Sequence, residues 1–184
     1  MTKQRGFTLL ELLIALAIGG IVVAGATSTL GHVIAGSAAN SYHMRAVRQA
    51  QAAGYWVSHD AVMAQDVQLD DLTTPEAEFL VLNWAEWNGD TYKVVYTLED
   101  TVDGFKQLQR QYTVTDSDGI ETVTTAIVSQ HIDDSAITDD DWDYNTEAKW
   151  NEDEDEKLVL RVTTSVTGKD ETRIYEVSPR PISQ

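Results

Sequence analysis

Arg5-Gly6-Phe7-Thr8-Leu9-Leu10-Glu11-Leu12-Leu13-Ile14 is the stretch on which the fold turns. Lys3 and Arg5 precede an apolar run, and the 24 residues from Phe7 to Leu30 carry a single charge, Glu11. At about 1.5 Å per residue, a helix of that length reaches about 36 Å, enough to cross a hydrocarbon core of about 30 Å. The next basic residues, Arg45 and Arg48, lie well beyond it. Positive charge ahead of the span holds the N-terminus in the cytoplasm and sends the rest of the chain outward.

Three readings of the span compete. One is an ordinary secretory signal, with Ala24-Gly25-Ala26 offering a small-residue cleavage site. Another is a plain signal anchor. Both leave Glu11 without a purpose, although a carboxylate costs roughly 2.5–3.5 kcal/mol at mid-membrane and less near a helix end. The third gives Glu11 a partner. Cleavage after Gly6 makes Phe7 the new N-terminus and exposes an amine with a pKa of about 8, mostly protonated at neutral pH. A unit charge about 4 Å from a carboxylate gains about 4 kcal/mol at an effective dielectric of about 20, comparable to the burial cost. The amine can come from the same chain or from a neighbour in an assembly. Only a neighbour's amine sets a register between subunits.

The run Lys3-Gln4-Arg5-Gly6-Phe7-Thr8-Leu9-Leu10-Glu11-Leu12, followed by about 20 apolar residues, resembles the N-terminal signal of type IV pilins and pseudopilins. The resemblance implies that a prepilin peptidase cuts after Gly6 and methylates Phe7, and that Glu11 serves assembly. It implies other pilins or pseudopilins as partners through the N-terminal helix, together with the peptidase, an inner-membrane assembly platform and membrane lipid. The implied location is the cytoplasmic membrane, crossed once with the N-terminus inside, and the globular part is periplasmic or extracellular. Major type IV pilins often carry a proline in the span, whereas this chain has none before Pro75. Gly19, Gly20 and Gly25 each weaken the helix by about 1 kcal/mol relative to Ala. They suit either close packing between helices or local unwinding when a subunit leaves the membrane.

Past Leu30 small and apolar residues recur at Val47, Ala50, Gly54, Val57, Ala61 and Ala64, the three-and-four spacing of one helix face. One nearly continuous helix is expected from about Thr8 to about Asp66, stopped by Asp70-Asp71-Leu72-Thr73-Thr74-Pro75. The period then becomes two. Strands are expected at Phe79–Trp84, Thr91–Leu98, Leu108–Thr115, Thr122–Ile132, Leu158–Val166 and Thr172–Val177. Turns are expected at Asp116-Ser117-Asp118-Gly119 and Thr167-Gly168-Lys169-Asp170. The expected fold is α+β: a long N-terminal helix, membrane-spanning in its first half and amphipathic in its second, packed on an antiparallel sheet in the pilin-like manner. The segments are a cleaved leader at 1–6, the membrane and assembly helix at 7–30 and its amphipathic continuation at 31–68. A β domain at 69–184 completes the chain, with an acidic insertion at 133–156.

The order of features resembles one branch of the family. The helix end Gln65-Asp66-Val67, the strand with Trp84, Tyr92-Lys93-Val94-Val95-Tyr96-Thr97-Leu98 and Leu108-Gln109-Arg110-Gln111-Tyr112 are similar to the J-type minor pseudopilin of type II secretion. W-type minor pilins share much of that pattern. The resemblance implies a structural subunit of a secretion pseudopilus. Its alternative is a minor type IV pilin in pilus assembly, DNA uptake or adhesion.

The formal charge of -17 repels phosphate backbones, so direct nucleic-acid binding is disfavoured. With no cysteine, thiol catalysis and Cys-based zinc sites are excluded. The insertion holds 12 acidic residues in 24. Dense like charge usually makes a solvated loop. Asp141, Asp143, Asn145 and Glu152 nevertheless sit at positions 1, 3, 5 and 12 of a calcium-binding loop. Thr146 stands where that loop needs glycine, and no amphipathic helices flank it. Neither another metal nor a cofactor is suggested. His32, His43, His59 and His131 belong to no catalytic pattern, so no enzymatic activity is expected. His59 and Asp60, as neighbours on a helix, are expected to project from different sides. Trp56 and Trp84 sit in core-like patterns, while Trp87, Trp142 and Trp150 are open to a sugar-binding or adhesive role.

Overall fold

A computed structural model describes residues 8–69, 78–139, 141–151 and 157–180. The chain divides into two compact units, Met1–Ser41 and Tyr42–Gln184. The first contains the apolar part of helix α1, which spans Leu9–Met63. Its most apolar 18-residue window has a mean hydropathy of 2.4 and none of it is buried. That length and composition suffice to cross a membrane.

In the second unit the helix packs on a sheet through a stripe of small residues: Ala46, Ala50, Ala53, Gly54, Val57, Asp60 and Ala61 are buried. The stripe begins at Ala46, and Val47 is half-buried, one step off the expected line. The helix also ends earlier than the proline implied. Met63 is its last residue, and Asp66–Leu69 forms strand β1, antiparallel to the next strand. The chain reverses because the Gln65 amide bonds the Asn83 carbonyl at 2.9 Å, a ladder contact that a helix would forgo. Residues 31–68 are therefore not all helix. The acidic stop signal and Pro75 lie outside the described residues.

The strands that follow are β2 Glu78–Ala85, β3 Thr91–Asp100, β4 Lys106–Thr115 and β5 Glu121–Ile132, then β6 Glu147–Asn151, β7 Lys157–Val166 and β8 Lys169–Val177. From β1 to β5 each pairs antiparallel with the next. The apolar run of β2 marks a strand covered on both faces: Phe79, Leu80, Val81, Leu82 and Trp84 are all buried. On β3, Val94 and Tyr96 are buried in the core and Tyr92 and Leu98 pack against it, as the alternation predicts.

Two turns follow their residues closely. The Asp116 carboxylate accepts the Asp118 and Ile120 amides, and Gly119 takes φ 81° at the tip. Thr167 and Gly168, at φ 53° and 70°, make a two-residue hairpin between β7 and β8. Positive φ at both centres matches the twist of the flanking strands, so β8 starts at Lys169 rather than Thr172.

Strand β7 joins two parts of the sheet. It pairs along its length with β8, so β6 and β5 must share its opposite edge, β6 at 157–161 and β5 at one position, Ile132 opposite Thr164. One further bond crosses beside it, Asp133 N–H to the Thr163 carbonyl at 2.9 Å. The helix spans the same junction. Ser129 Oγ donates to the Gln49 carbonyl at 2.9 Å, and Thr164 Oγ1 donates to the Ala46 carbonyl at 2.8 Å.

Candidate functional site

Thr8 and Glu11 close the start of the helix on each other. The Glu11 amide donates to Thr8 Oγ1 at 3.3 Å, while the Thr8 amide and hydroxyl donate to Glu11 Oε2 at 2.9 and 3.0 Å. A helix start leaves four amides without intrahelical partners, and a reciprocal Thr-x-x-Glu box satisfies two of them, an arrangement worth about 0.5–2 kcal/mol. Glu11 therefore has a local purpose that charge and hydropathy alone did not suggest, although the Thr8-Leu9-Leu10-Glu11 spacing carries it. Both Thr8 bonds end on Oε2. The second carboxylate oxygen, Oε1, takes no part in this cap. Lys3, Arg5, Gly6 and Phe7, the expected orientation and processing residues, lie outside the described residues.

The acidic insertion is not wholly a loop, as its composition suggested. Glu147–Asn151 pairs with β7, and Thr146 is buried, its hydroxyl donating to the Asp133 carbonyl at 2.7 Å. Trp142, only 8% exposed, lies under two cations: Lys149 Nζ at 4.0 Å from the ring centre and the Arg161 guanidinium at 5.6 Å. Lys149 also donates to the Asp141 carbonyl, and Arg161 bonds Asp139 at 3.2 Å. Two buried anchors and a few cations thus hold a segment that its own charge would otherwise expand.

Of the four calcium candidates, Asp141, Asp143 and Asn145 lie in this segment and Glu152 falls outside the described residues. The Asn145 amide nitrogen bonds Asp133 and Ser135, both at 3.0 Å. Glu147 Oε2 accepts the Asp143 and Tyr144 amides at 2.9 and 3.1 Å. Among the described residues no group of three or more His, Cys, Asp or Glu side chains is placed to hold a metal ion.

A buried polar node escaped the sequence reading. Asp60, 2% exposed, accepts Tyr96 Oη at 2.5 Å, Arg110 Nε at 2.6 Å and Arg110 Nη2 at 2.9 Å. His59 does reach Asp60, Nδ1 to Oδ1 at 3.3 Å, despite their adjacency on the helix. The Arg110 guanidinium lies between the rings of Trp56 and Tyr112, 5.0 and 4.8 Å from their centres. Trp56 is accordingly 37% exposed, a cover over Arg110 rather than a core residue. Burial, and then the neighbouring Asp60 carboxylate, push the Tyr96 phenol far above the ordinary tyrosine range. Apolar spacing could not flag Asp60, because a carboxylate on a buried face is recognised only through its partners 36 and 50 residues away.

The remaining tryptophans divide. Trp84 is in the core, stacked on Tyr92 with ring centres 5.2 Å apart, and Trp150 packs against the core. Trp87, at the β2–β3 turn, is 98% exposed.

Residues 1–27 match a family model described as the prokaryotic N-terminal methylation motif. No curated protein matches the chain, and no solved structure does. The matched motif ends within the apolar half of α1 and contains both members of the Thr8–Glu11 box. The chain therefore carries a type IV prepilin-like N-terminal signal, and that signal implies processing by a prepilin peptidase and assembly with other pilins.

Proposed function

We propose that the chain is a non-enzymatic filament subunit, specifically a minor pseudopilin of a type II secretion pseudopilus. It is inserted with its N-terminus in the cytoplasm, cut between Gly6 and Phe7, methylated at Phe7 and assembled through α1. The observation that carries this reading is the methylation motif over residues 1–27, ending in an apolar helix that starts on a Glu11-containing cap. The cap is compatible with the pairing idea, since both Thr8 bonds end on Oε2 and Oε1 stays outside the cap while the helix start is closed. An amine from a neighbouring subunit would then register one helix against the next, in a bundle otherwise held by small-residue packing. The J-type rank draws on the order of strands and on Tyr92–Leu98 and Leu108–Tyr112 as β3 and β4.

The test is Glu11→Ala in the producing cell, scored for cleavage and for incorporation into the filament. Cleavage with loss of incorporation is expected. Normal filaments containing the variant would overturn the assembly role. Loss of secretion on deleting the gene, with twitching intact, supports the secretion machine, and the reverse supports a minor type IV pilin.

One observation favours that second reading. Trp87, fully presented at a hairpin tip, suits adhesion to a surface or a sugar. A Trp87→Ala filament that forms normally but no longer adheres would support it. Calcium in the acidic insertion is a further proposal. Its test is a titration of the full chain in detergent with millimolar calcium, followed by Trp142 and Trp150 fluorescence and melting temperature. Unchanged signals would remove the site.

A further inference from the structure

Among the described residues the sheet shows several unshared strand edges, and they are not alike. Strand β8 carries Lys169, Asp170, Glu171, Arg173 and Glu176, β1 has four residues including Asp66, and β6 has five including Glu147 and Lys149. Short or charged edges resist the addition of a foreign strand. Strand β5 differs. Beyond the contact of Ile132 with β7 its outer edge has no strand beside it, and Thr122–Gln130 is nine residues without one charge, Thr-Val-Thr-Thr-Ala-Ile-Val-Ser-Gln. Residues 121–127 are exposed on both faces, with Val123 52% and Ile127 50% accessible on the same face. Among the described residues only the end of this edge is capped, where the Gln49 side chain accepts the Gln130 amide at 2.8 Å.

An unshared row of backbone amides and carbonyls, β-branched and uncharged, is the surface to which an extended peptide adds as a new strand. Charge selects the occupant. Of 30 acidic and 13 basic residues, all but Glu11, Lys3 and Arg5 lie beyond residue 41, so two copies of this outer unit repel each other. Asp116, Asp118 and Glu121 also flank the β4–β5 hairpin end of the strip. The two longest undescribed segments within the outer unit begin and end on other strands. Residues 70–77 connect β1 to β2, and residues 152–156 connect the paired Asn151 and Lys157. We propose that Thr122–Val128 is a docking edge for an extended segment of a different protein, rich in β-branched residues and carrying Lys or Arg at the end beside Glu121. Its alternate side chains would lie beside Val123 and Ile127. The surface belongs to the outer unit and does not depend on the filament reading.

The test uses the full chain in detergent micelles and a synthetic peptide of about ten residues, alternating Val and Thr with Lys and Arg at its ends. A second peptide of the same sequence carries methylated backbone amides and cannot complete a ladder. Amide hydrogen exchange at 122–128 should slow by about tenfold with the first peptide. The methylated peptide should have no effect, and neither peptide should alter 169–177. The protection should weaken as salt rises from about 0.05 M to about 0.5 M. No protection at 122–128, or equal protection by the methylated peptide, overturns the proposal. Protection without any peptide, accompanied by a doubled particle mass in sedimentation, overturns it in favour of a second copy on the same edge.

Discussion

Arg110 holds Asp60 through two bonds, Nε to Oδ2 at 2.6 Å and Nη2 to Oδ1 at 2.9 Å, across the interface between β4 and the helix. The carboxylate is buried and the guanidinium side chain 14% exposed, so the two groups are unequal partners. Removing Arg110 leaves a charge in the interior, whereas removing Asp60 leaves a cation still stacked between Trp56 and Tyr112. Arg110→Ala should therefore cost about 3 kcal/mol, the low end for breaking a buried pair because Arg110 still meets water. That corresponds to about 6–12 °C in melting temperature for a unit of this size. Arg110→Lys should recover little, since an ammonium cannot make the two-pronged contact. Melting followed by near-ultraviolet circular dichroism checks both. An Arg110→Ala chain melting within a degree or so of the parent would show the pair to be energetically idle.

Tyr96 and Tyr112 of this node, with Tyr175 outside it, make the outer unit sensitive to base. Tyr96, Tyr112 and Tyr175 are all raised above the ordinary tyrosine value, each chiefly by burial. The unfolded chain releases these protons at about pH 10, whereas the folded chain retains them. Stability from this source is thus complete below about pH 10 and falls as pH rises beyond it, because the folded state then binds more protons than the unfolded one. Tyrosinate absorbance should lag behind that of a seven-tyrosine mixture and rise only as native structure is lost. Complete ionisation with native circular dichroism intact would contradict the burial of Tyr96.

Gly54 is needed where Tyr175 crosses the helix. A Cβ there would stand 2.0 Å from the ring carbon Cζ of Tyr175, whose hydroxyl donates to the Ala50 carbonyl at 3.2 Å. Gly54→Ala must displace the ring, at about 1–3 kcal/mol. In a Tyr175→Ala background the same substitution should cost close to nothing, a coupling that a double-mutant cycle measures directly. Additive costs would mean that the glycine serves some other purpose.

Glu11→Gln separates two roles that Glu11→Ala removes together. The amide oxygen can still accept from Thr8, so the helix start should persist while the charge is gone. Amide exchange at residues 9–12 in micelles should match the parent for Glu11→Gln and accelerate for Thr8→Ala, in keeping with a loss of about 0.5–2 kcal/mol. Filament incorporation should fail for Glu11→Gln if charge pairing drives assembly. Intact incorporation of Glu11→Gln would assign the residue to capping alone.

Much of this architecture was written in periodicity. The strands from Glu78 to Thr115 and from Lys157 to Val177 alternate or run apolar largely as their burial requires, whereas β5 is exposed on both faces over 121–127, and the helix stripe was visible to within one residue at Ala46. The misses share a cause, which is that a long-range partner overrode a local signal. The helix ends at Met63 because Gln65 finds Asn83, not because a proline arrives. Strand β6 hid among carboxylates because its support comes from β7 and from Trp142 beneath Lys149 and Arg161. Asp60 hid on an apolar face because Tyr96 and Arg110 supply its compensation from distant strands. The Thr8–Glu11 box was legible, but the hydropathy of its surroundings drew the reading toward charge pairing alone.

The single-position contact between β5 and β7 also has a mechanical meaning. Ladders of nine or more residues hold β3 to β4 and β7 to β8, whereas Ile132–Thr164 and one adjacent bond join the two halves of the sheet. Under tension that junction is a tear line, since few bonds share the load and they can be broken almost one at a time. The helix rivets it, because Gln49 grips Ser129 on one side and Ala46 grips Thr164 on the other, less than one turn apart. A pull transmitted along the helix axis would reach both rivets together, so the outer unit should yield as one piece rather than peel strand by strand.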